Sequence, residues 1–159
     1  MSRSGADLAL LMLGGFRSLV DAATLELAAR GYEDVRPLHD FALRAIAAGA
    51  DSASELGRRM AVTKQAAART VAVLEERGYV ERKVDPADAR RMRLEVSERG
   101  STLLREGEQI FDELRNRWQR QIGAAKLAEL ESLLTELVGA QPVRFDTPGW
   151  LARDLGERL

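Results

Sequence analysis

The chain has 159 residues, 45% of them apolar, which is enough for one ordinary domain with a buried core. Its 24 basic and 25 acidic residues leave a net charge of −1, so the total charge gives no sign of nucleic-acid binding. The absence of cysteine excludes disulfides, thiolate metal sites and cysteine-based redox sensing, and it suits a reducing cytoplasm. The longest apolar run, Leu8 to Leu13, is shorter than the ~20 residues of a membrane span. We therefore expect a soluble cytoplasmic protein with no membrane partner.

Helical periodicity dominates the first third of the chain. Apolar residues at three- to four-residue spacing predict a first helix that ends near Gly31, and the adjacent Gly14 and Gly15 indicate either a kink or a close approach by another backbone or a ligand. Pro37 is well suited to the first position of a second helix, which Gly49 would end.

Two further helices are predicted from their capping residues. Ser52 and Glu55 form a capping-box pattern, in which the hydroxyl and the carboxylate would satisfy backbone amides at the start of a third helix. After a short connection, Thr63 is a plausible N-cap for a fourth helix that ends at Gly78.

The pattern then changes to strict alternation, which predicts two strands at 79–84 and 92–96. Residues 85–91 would join them as a polar, basic loop. Ser97 can cap a long fifth helix that runs to Gly123, and leucines from Leu127 to Leu137 indicate a sixth. The apolar segment from Pro142 onward is expected to dock on the helices or on a partner chain.

The predicted elements between about residues 52 and 97 indicate a winged helix-turn-helix. They follow in the order helix, tight turn, helix and two-stranded ribbon. The fold class is mainly α with a two-stranded β-wing, flanked by long helices. Because the apolar stripes of these helices are long for the compact unit in the middle, we expect them to pair with a second copy of the chain in a homodimer.

Local charge supports a DNA-binding role for this segment. Between Arg58 and Arg93 there are ten basic and five acidic residues, a local excess of five positive charges. A major groove about 12 Å wide admits one helix, whose exposed N-terminal residues can reach base edges. The candidates on the fourth helix are Thr63, Lys64, Gln65, Ala68 and Arg69.

The wing supplies a second set of candidates. Arg90, and after it Arg91, would enter the neighbouring minor groove, whose negative potential attracts arginine. We expect Asp85 and Asp88 to hold the wing, through turn hydrogen bonds and salt bridges to arginines such as Arg82 or Arg90. The alternative is that these charges form a solvated loop only.

Four segments of this sequence resemble, in order and spacing, the signature of the MarR family of bacterial regulators: 55–63, 74–82, 85–90 and 94–100. The resemblance is strong over residues 37–105. It implies a single domain over 1–159, with a winged helix-turn-helix at 36–98 and a dimerisation part at 1–35 and 99–159. It also implies a homodimeric repressor on a palindromic operator of double-stranded DNA, with repression relieved by a small aromatic or anionic effector.

The resemblance can also be carried over residue by residue. The start of the recognition helix is matched by Thr63, Lys64, Gln65 and Arg69. The wing-tip arginine is matched by Arg90, and the wing's paired acids are matched by Asp85 and Asp88.

The remaining candidate residues concern an effector site. His39 is the only histidine and would lie near the family's ligand crevice, where it could donate to an anionic effector. Phe16 and Phe111 could line the same crevice, although aromatic residues at such spacing are usually core. We expect no enzyme, cofactor or metal site, because the chain has no nucleophile motif, phosphate loop or metal-ligand cluster. The competing function is a winged helix that docks another protein.

Overall fold

The computed structural model describes residues 4–139. The described chain forms helices and one antiparallel pair of strands, in the order α1 (Gly5–Ala29), α2 (Pro37–Ala47), α3 (Ala53–Met60), α4 (Lys64–Glu76), β1 (Val80–Asp85), β2 (Asp88–Val96), α5 (Glu98–Ile122) and α6 (Ala124–Val138). This order confirms the predicted fold class, a mainly helical protein with a two-stranded wing. The apolar segment from Pro142 onward lies outside the described residues.

The chain divides into two compact units. One combines the residues up to Val35 with Gly107–Leu137, and the other contains Arg36–Glu106. The first unit therefore contains α1, most of α5 and nearly all of α6, whereas the second contains α2, α3, α4, the wing and the start of α5.

Helix α1 belongs to the first unit and leaves much of its apolar surface exposed. Ser4 caps its start, because the hydroxyl accepts from the amide of Asp7 at 3.1 Å and the Asp7 carboxylate accepts from the amide of Ser4 at 3.0 Å. By length and composition α1 could cross a membrane, and only 11% of its most apolar 18-residue window is buried. The uninterrupted run from Leu8 to Leu13 did not reveal this property, because polar and small residues interrupt the pattern.

The two adjacent glycines of α1 lie within one continuous helix. A Cβ atom added at Gly15 would lie 3.7 Å from Cη2 of Trp118 on α5, whereas one added at Gly14 would meet nothing within 4 Å. The close neighbour at this point is therefore an aromatic side chain of the same unit, and it lies beside Gly15 alone.

The core of the second unit is built by the three helices α2, α3 and α4, by the wing and by the start of α5. Its largest fully buried side chains are Leu43, Leu56, Val71, Leu74, Tyr79 and Leu103. The turn between α3 and α4 is tight. A Cβ atom on Gly57 would lie only 3.0 Å from the carbonyl oxygen of Val62, and Ala61 adopts the left-handed conformation with φ of 51°.

The capping predictions for this unit are confirmed with one exception. The Ser52 hydroxyl accepts from the amide of Glu55 at 3.2 Å, and the Thr63 hydroxyl accepts from the amide of Ala66 at 3.1 Å. The expected return bond from the Glu55 carboxylate to the Ser52 amide is wrong. That carboxylate instead pairs with Arg59, at 2.8 Å, and with Arg58, one turn further along α3.

The wing is longer than the sequence indicated. Strand β2 begins at Asp88, so the predicted loop over residues 85–91 is wrong and the turn is reduced to Pro86 and Ala87. Val80 pairs with Val96 at the root of the wing, and the register is regular until Val84 pairs with Met92. Asp85 then faces Asp88, which leaves residues 89–91 as a bulge on β2.

The root of the wing is joined to the start of α5 by close backbone contacts. The amide of Ser97 donates to the carbonyl of Tyr79 at 3.0 Å, and the Ser97 hydroxyl donates to the carbonyl of Gly78 at 2.6 Å. The same hydroxyl accepts from the amide of Gly100 at 3.0 Å, which confirms Ser97 as the cap of α5.

Candidate nucleic-acid interface

Helix α4 presents one apolar and one polar face. Ala67, Val71 and Leu74 are buried against the second unit's core. The side chains predicted to contact bases lie on the opposite, exposed face, and these are Thr63, Lys64, Gln65, Ala68 and Arg69. The helix therefore has the arrangement that major-groove reading needs, in which the exposed residues at its start combine long polar and small side chains.

Most of the basic residues in the segment from Arg58 to Arg93 are neutralised by carboxylates in the same unit. Arg58 and Arg59 pair with Glu55 on α3. Lys83 pairs with Glu81 at 2.8 Å and with Glu95 at 3.1 Å. The other cations in such pairs are Arg82, Arg91 and Arg93. The local positive excess is therefore not spread evenly over the surface of the unit.

Lys64, Arg69 and Arg90 differ from these residues. Within residues 4–139, their exposed side chains form no ion pair with a carboxylate. A cation that is not committed to an internal partner can bind a phosphate or base edge without first breaking a salt bridge. All three were predicted as DNA contacts from the sequence, and that role remains a prediction.

The tip of the wing is shaped by two aspartates. The Asp85 carboxylate accepts from the amide of Ala87 at 2.9 Å, and the Asp88 carboxylate accepts from the amide of Arg90 at 3.0 Å. The expected turn hydrogen bonds are thus confirmed. The expected salt-bridge partners are wrong, because Asp85 lies 3.6 Å from Arg91 rather than beside Arg82 or Arg90.

Arg82 instead fastens the wing to the recognition helix. Its Nε lies 2.7 Å from Oε1 of Glu75, and its Nη2 lies 3.3 Å from Oε2 of the same carboxylate. Because Glu75 is on the last turn of α4 and Arg82 is on β1, this two-point pair holds the wing against the helix. The predicted structural role of Arg82 therefore has a geometric basis, with a partner that spacing alone did not reveal.

Asp51, just before the Ser52 cap, is a residue that sequence reasoning missed. Its carbonyl accepts from the amide of Leu94 at 2.8 Å, and both of its carboxylate oxygens lie 2.9 Å from Nη2 of Arg91. One residue thus holds β2 through its backbone and its side chain. Arg91, predicted as a DNA contact, is shared between this internal pair and solvent. The only signal in the sequence was an acidic residue immediately before a helix cap.

His39 lies at the start of α2 and is buried, with 8% of its surface exposed. Its Nδ1 accepts from the amide of Arg36 at 3.2 Å and lies 3.3 Å from Nη1 of Arg77. Both neighbours can only donate, so Nδ1 carries the lone pair, and the neutral ring holds its proton on Nε2. His39 thus connects the start of α2 to the end of α4, and a role in effector binding remains a prediction.

The two aromatic candidates for effector binding belong to the first unit. Phe16 on α1 is 36% exposed, and Phe111 on α5 is half-buried. Both side chains thus retain some accessible surface, and their ligand role also remains a prediction.

Comparison with protein families gives a match over this site. The model described as MarR family matches residues 37–91, which cover α2, α3, α4, β1 and the bulged start of β2. No curated protein matches the chain.

Similar solved structures cover nearly the whole chain. The structure of RV1404 from Mycobacterium tuberculosis has a TM-score of 0.73 at 19% identity, covering 90% of this chain and 98% of that one. The apo form of MarR from E. coli has a TM-score of 0.66 at 20% identity, covering 87% and 99%.

S. aureus MepR is also similar, and two of its structures contain ligands. A mutant bound to an oligodeoxyribonucleotide has a TM-score of 0.58 at 17% identity, covering 86% of this chain and 97% of that one. The protein bound to ethidium bromide has a TM-score of 0.61 at 17% identity, covering 86% and 95%. At these identities the likeness establishes the fold.

Proposed function

We propose that this chain, whose residues 37–91 match the MarR family model, is a homodimeric transcriptional repressor. In this proposal it binds a palindromic operator of double-stranded DNA and is released by a small-molecule effector. Its fold is shared by MarR from E. coli. The observation that carries the proposal is the selective pairing of charges. Lys64, Arg69 and Arg90 are exposed and form no ion pair with carboxylates of the described chain. Six neighbouring cations, in contrast, are paired with carboxylates.

DNA recognition in this proposal is divided between α4 and the wing. Lys64, Gln65 and Arg69 would contact bases or phosphates in the major groove, and Ala68 would allow close approach or contact a thymine methyl group. Thr63 caps α4, so the backbone amides at the start of this helix would face the DNA backbone. Arg90 would enter the adjacent minor groove, held in place by the turn at Asp88. The DNA-bound structure of MepR supports this use of the fold.

The homodimer is supported by the exposed apolar surface of α1 and α6. The exposed residues on α1 include Leu8, Leu11, Met12 and Leu25, and those on α6 are Leu130, Leu133, Leu137 and Val138. Large apolar surfaces are rarely left in water, because burying them is favourable by about 25 cal/mol per Å². We assign this surface to a second copy of the chain rather than to a membrane, and we place the protein in the cytoplasm. Light scattering at micromolar concentration should give twice the monomer mass.

The proposed effector is a small aromatic or anionic compound, and its candidate contacts are Phe16, His39 and Phe111. The structure of MepR with ethidium bromide supports a small-molecule effector for this fold. We propose no catalytic activity, and no cofactor or metal.

The proposal is tested by selecting bound sequences from a random duplex pool at ~150 mM salt, where nonspecific phosphate contacts are already weakened. A homodimer with one winged module per subunit should enrich an inverted repeat, with half-sites about 10 bp apart, or one helical turn. Enrichment of no sequence, with only salt-sensitive binding to any duplex, would contradict specific recognition.

A further inference from the structure

Val84 and Met92 leave an apolar surface exposed on the wing. They are cross-strand partners, and 55% and 48% of their surfaces are accessible. Because side chains alternate between the two faces of a strand, they lie on the same face as Val80 and Leu94, which are buried at the root. Arg82 lies on the same face between Val80 and Val84, and it pairs with Glu75 on α4. The uncovered apolar strip is therefore the pair of Val84 and Met92 on the outer part of the wing.

The opposite face of the wing is charged and internally paired. Lys83 contacts Glu81 and Glu95, and Arg93 also pairs with Glu95. This face therefore satisfies its own charges. The two faces differ sharply, and only the apolar one has an uncovered surface whose burial would be favourable.

Charge identifies the partner of the apolar face. Arg90, two residues before Met92, is exposed and forms no ion pair in the part of the chain that the structure describes. A matching surface must therefore offer negative charge close to carbon-rich groups. The wall of a DNA minor groove does so, because phosphates flank the deoxyribose rings, and minor-groove proteins bring methionine and other apolar side chains into this groove.

We infer that Val84 and Met92 pack against the deoxyribose rings of the minor-groove wall beside the point where Arg90 enters the groove. This inference rests on the proposed function and adds to it an apolar contact that does not depend on charge. Lys64 and Arg69 belong to the same compact unit and supply the electrostatic part of the same interface.

Salt dependence separates this contact from a phosphate contact. Each phosphate contact that is lost reduces the slope of log affinity against log salt, whereas a lost apolar contact lowers affinity equally at every salt concentration. The probe is the duplex that the wild-type protein enriches from a random pool, and binding is measured by fluorescence anisotropy between ~50 and ~300 mM salt.

The double variant Val84→Thr, Met92→Gln keeps the shape of both side chains and replaces their apolar character. We expect its affinity to fall about 5- to 30-fold with an unchanged salt slope, as for loss of the burial of two half-exposed apolar side chains. Met92→Leu, which stays apolar, should bind like the wild type. Met92→Leu is therefore the matched control, because it changes the same exposed side chain and keeps its apolar character.

The possible outcomes are distinguishable. If the wild-type protein enriches no duplex, the proposed function fails and this inference fails with it. If the wild type binds and the double variant binds equally well, the function stands and this inference is overturned, which would assign the strip to a protein partner. A weaker binding that comes with a reduced salt slope would also overturn it. Thermal melting of the double variant, beside that of Met92→Gln alone, verifies that both proteins are folded.

Discussion

Arg91 and Asp51 are joined across 40 residues of sequence, with Nη2 of the arginine 2.9 Å from both carboxylate oxygens of the aspartate. Asp51 precedes the cap of α3, and Arg91 lies in the bulge of β2. The backbone of Asp51 also accepts from the amide of Leu94. The helix-turn-helix and the wing are thus held together at one residue, by a charged contact and a backbone contact that can be separated by mutation.

Asp51→Asn removes the charge and keeps the backbone bond. Because the pair is half-exposed, we expect global stability to fall by only ~0.2–1 kcal/mol. The amides of residues 89–91 should exchange faster with solvent, since Arg91 in the bulge loses the closer of its two carboxylate partners, while the amide of Leu94 stays protected. Hydrogen exchange followed by NMR measures the exchange rates of the amides of residues 89–91 and of Leu94. Equal acceleration at Leu94 would mean that the side chain, rather than the backbone, holds the strand.

Gly100→Ala should be severely destabilising. A Cβ atom there would overlap the carbonyl oxygen of Tyr79 and lie 2.8 Å from Cγ1 of Val96, and the backbone at the wing root cannot move without breaking the Ser97 contacts. We expect a loss of more than about 3 kcal/mol, typical of severe overpacking. Urea unfolding followed by circular dichroism measures this loss.

Gly14→Ala is the matched control for that substitution. It also replaces a helical glycine, but its Cβ would meet nothing within 4 Å. Alanine is the better helix former, so stability should rise by about 0.5–1 kcal/mol. A loss of stability at this position would show that another surface, such as a second subunit, occupies the space beside Gly14.

The charged face of the wing makes a prediction about pH. Hydrogen bonds from Lys83 and then from Arg93 hold the pKa of Glu95 below its ordinary value of 4.5. A carboxyl whose pKa is lowered on folding contributes stability above its ordinary pKa, and this contribution is lost as the pH falls through the folded pKa. Lys83→Gln removes the largest cause, so the pKa of Glu95 should rise toward 4.5. Titration of its side-chain carboxyl carbon by NMR measures the shift, and an unchanged value would assign the effect to Arg93.

The helices were predictable because local signals define their ends. Ser52 and Thr63 each satisfy an amide three residues further along, and Gly31, Gly49 and Gly78 adopt positive φ after their helices. These features depend on neighbours in sequence. The length of β2 was not predictable in this way, because the turn bonds of Asp85 and Asp88 tighten the wing where composition indicated a loop.

The candidate site was predictable in its position and less so in its charges. The sequence placed Arg90 before Arg91 as the cation that enters the minor groove, but it gave no sign of how either side chain is paired. The folded chain shows that Arg91 is paired with Asp51, whereas Arg90 is not paired with any carboxylate of the described residues. Ion pairs between distant segments depend on the tertiary fold, so a count of charges along the chain overestimates the cations available to DNA.

The central claim is that Lys64, Arg69 and Arg90, the cations of α4 and the wing that form no ion pair with the described residues, contact DNA. The most direct measurement is the affinity of Arg69→Ala, Arg90→Ala for the duplex that the wild-type protein enriches, beside Arg58→Ala, a basic residue of the same unit that is paired with Glu55 on its own helix. We predict at least about a 30-fold loss and a smaller salt slope for the double variant, from two contacts of about 1 kcal/mol or more each. Arg58→Ala should lose little. Wild-type affinity in the double variant, or an equal loss in Arg58→Ala, would contradict the assignment.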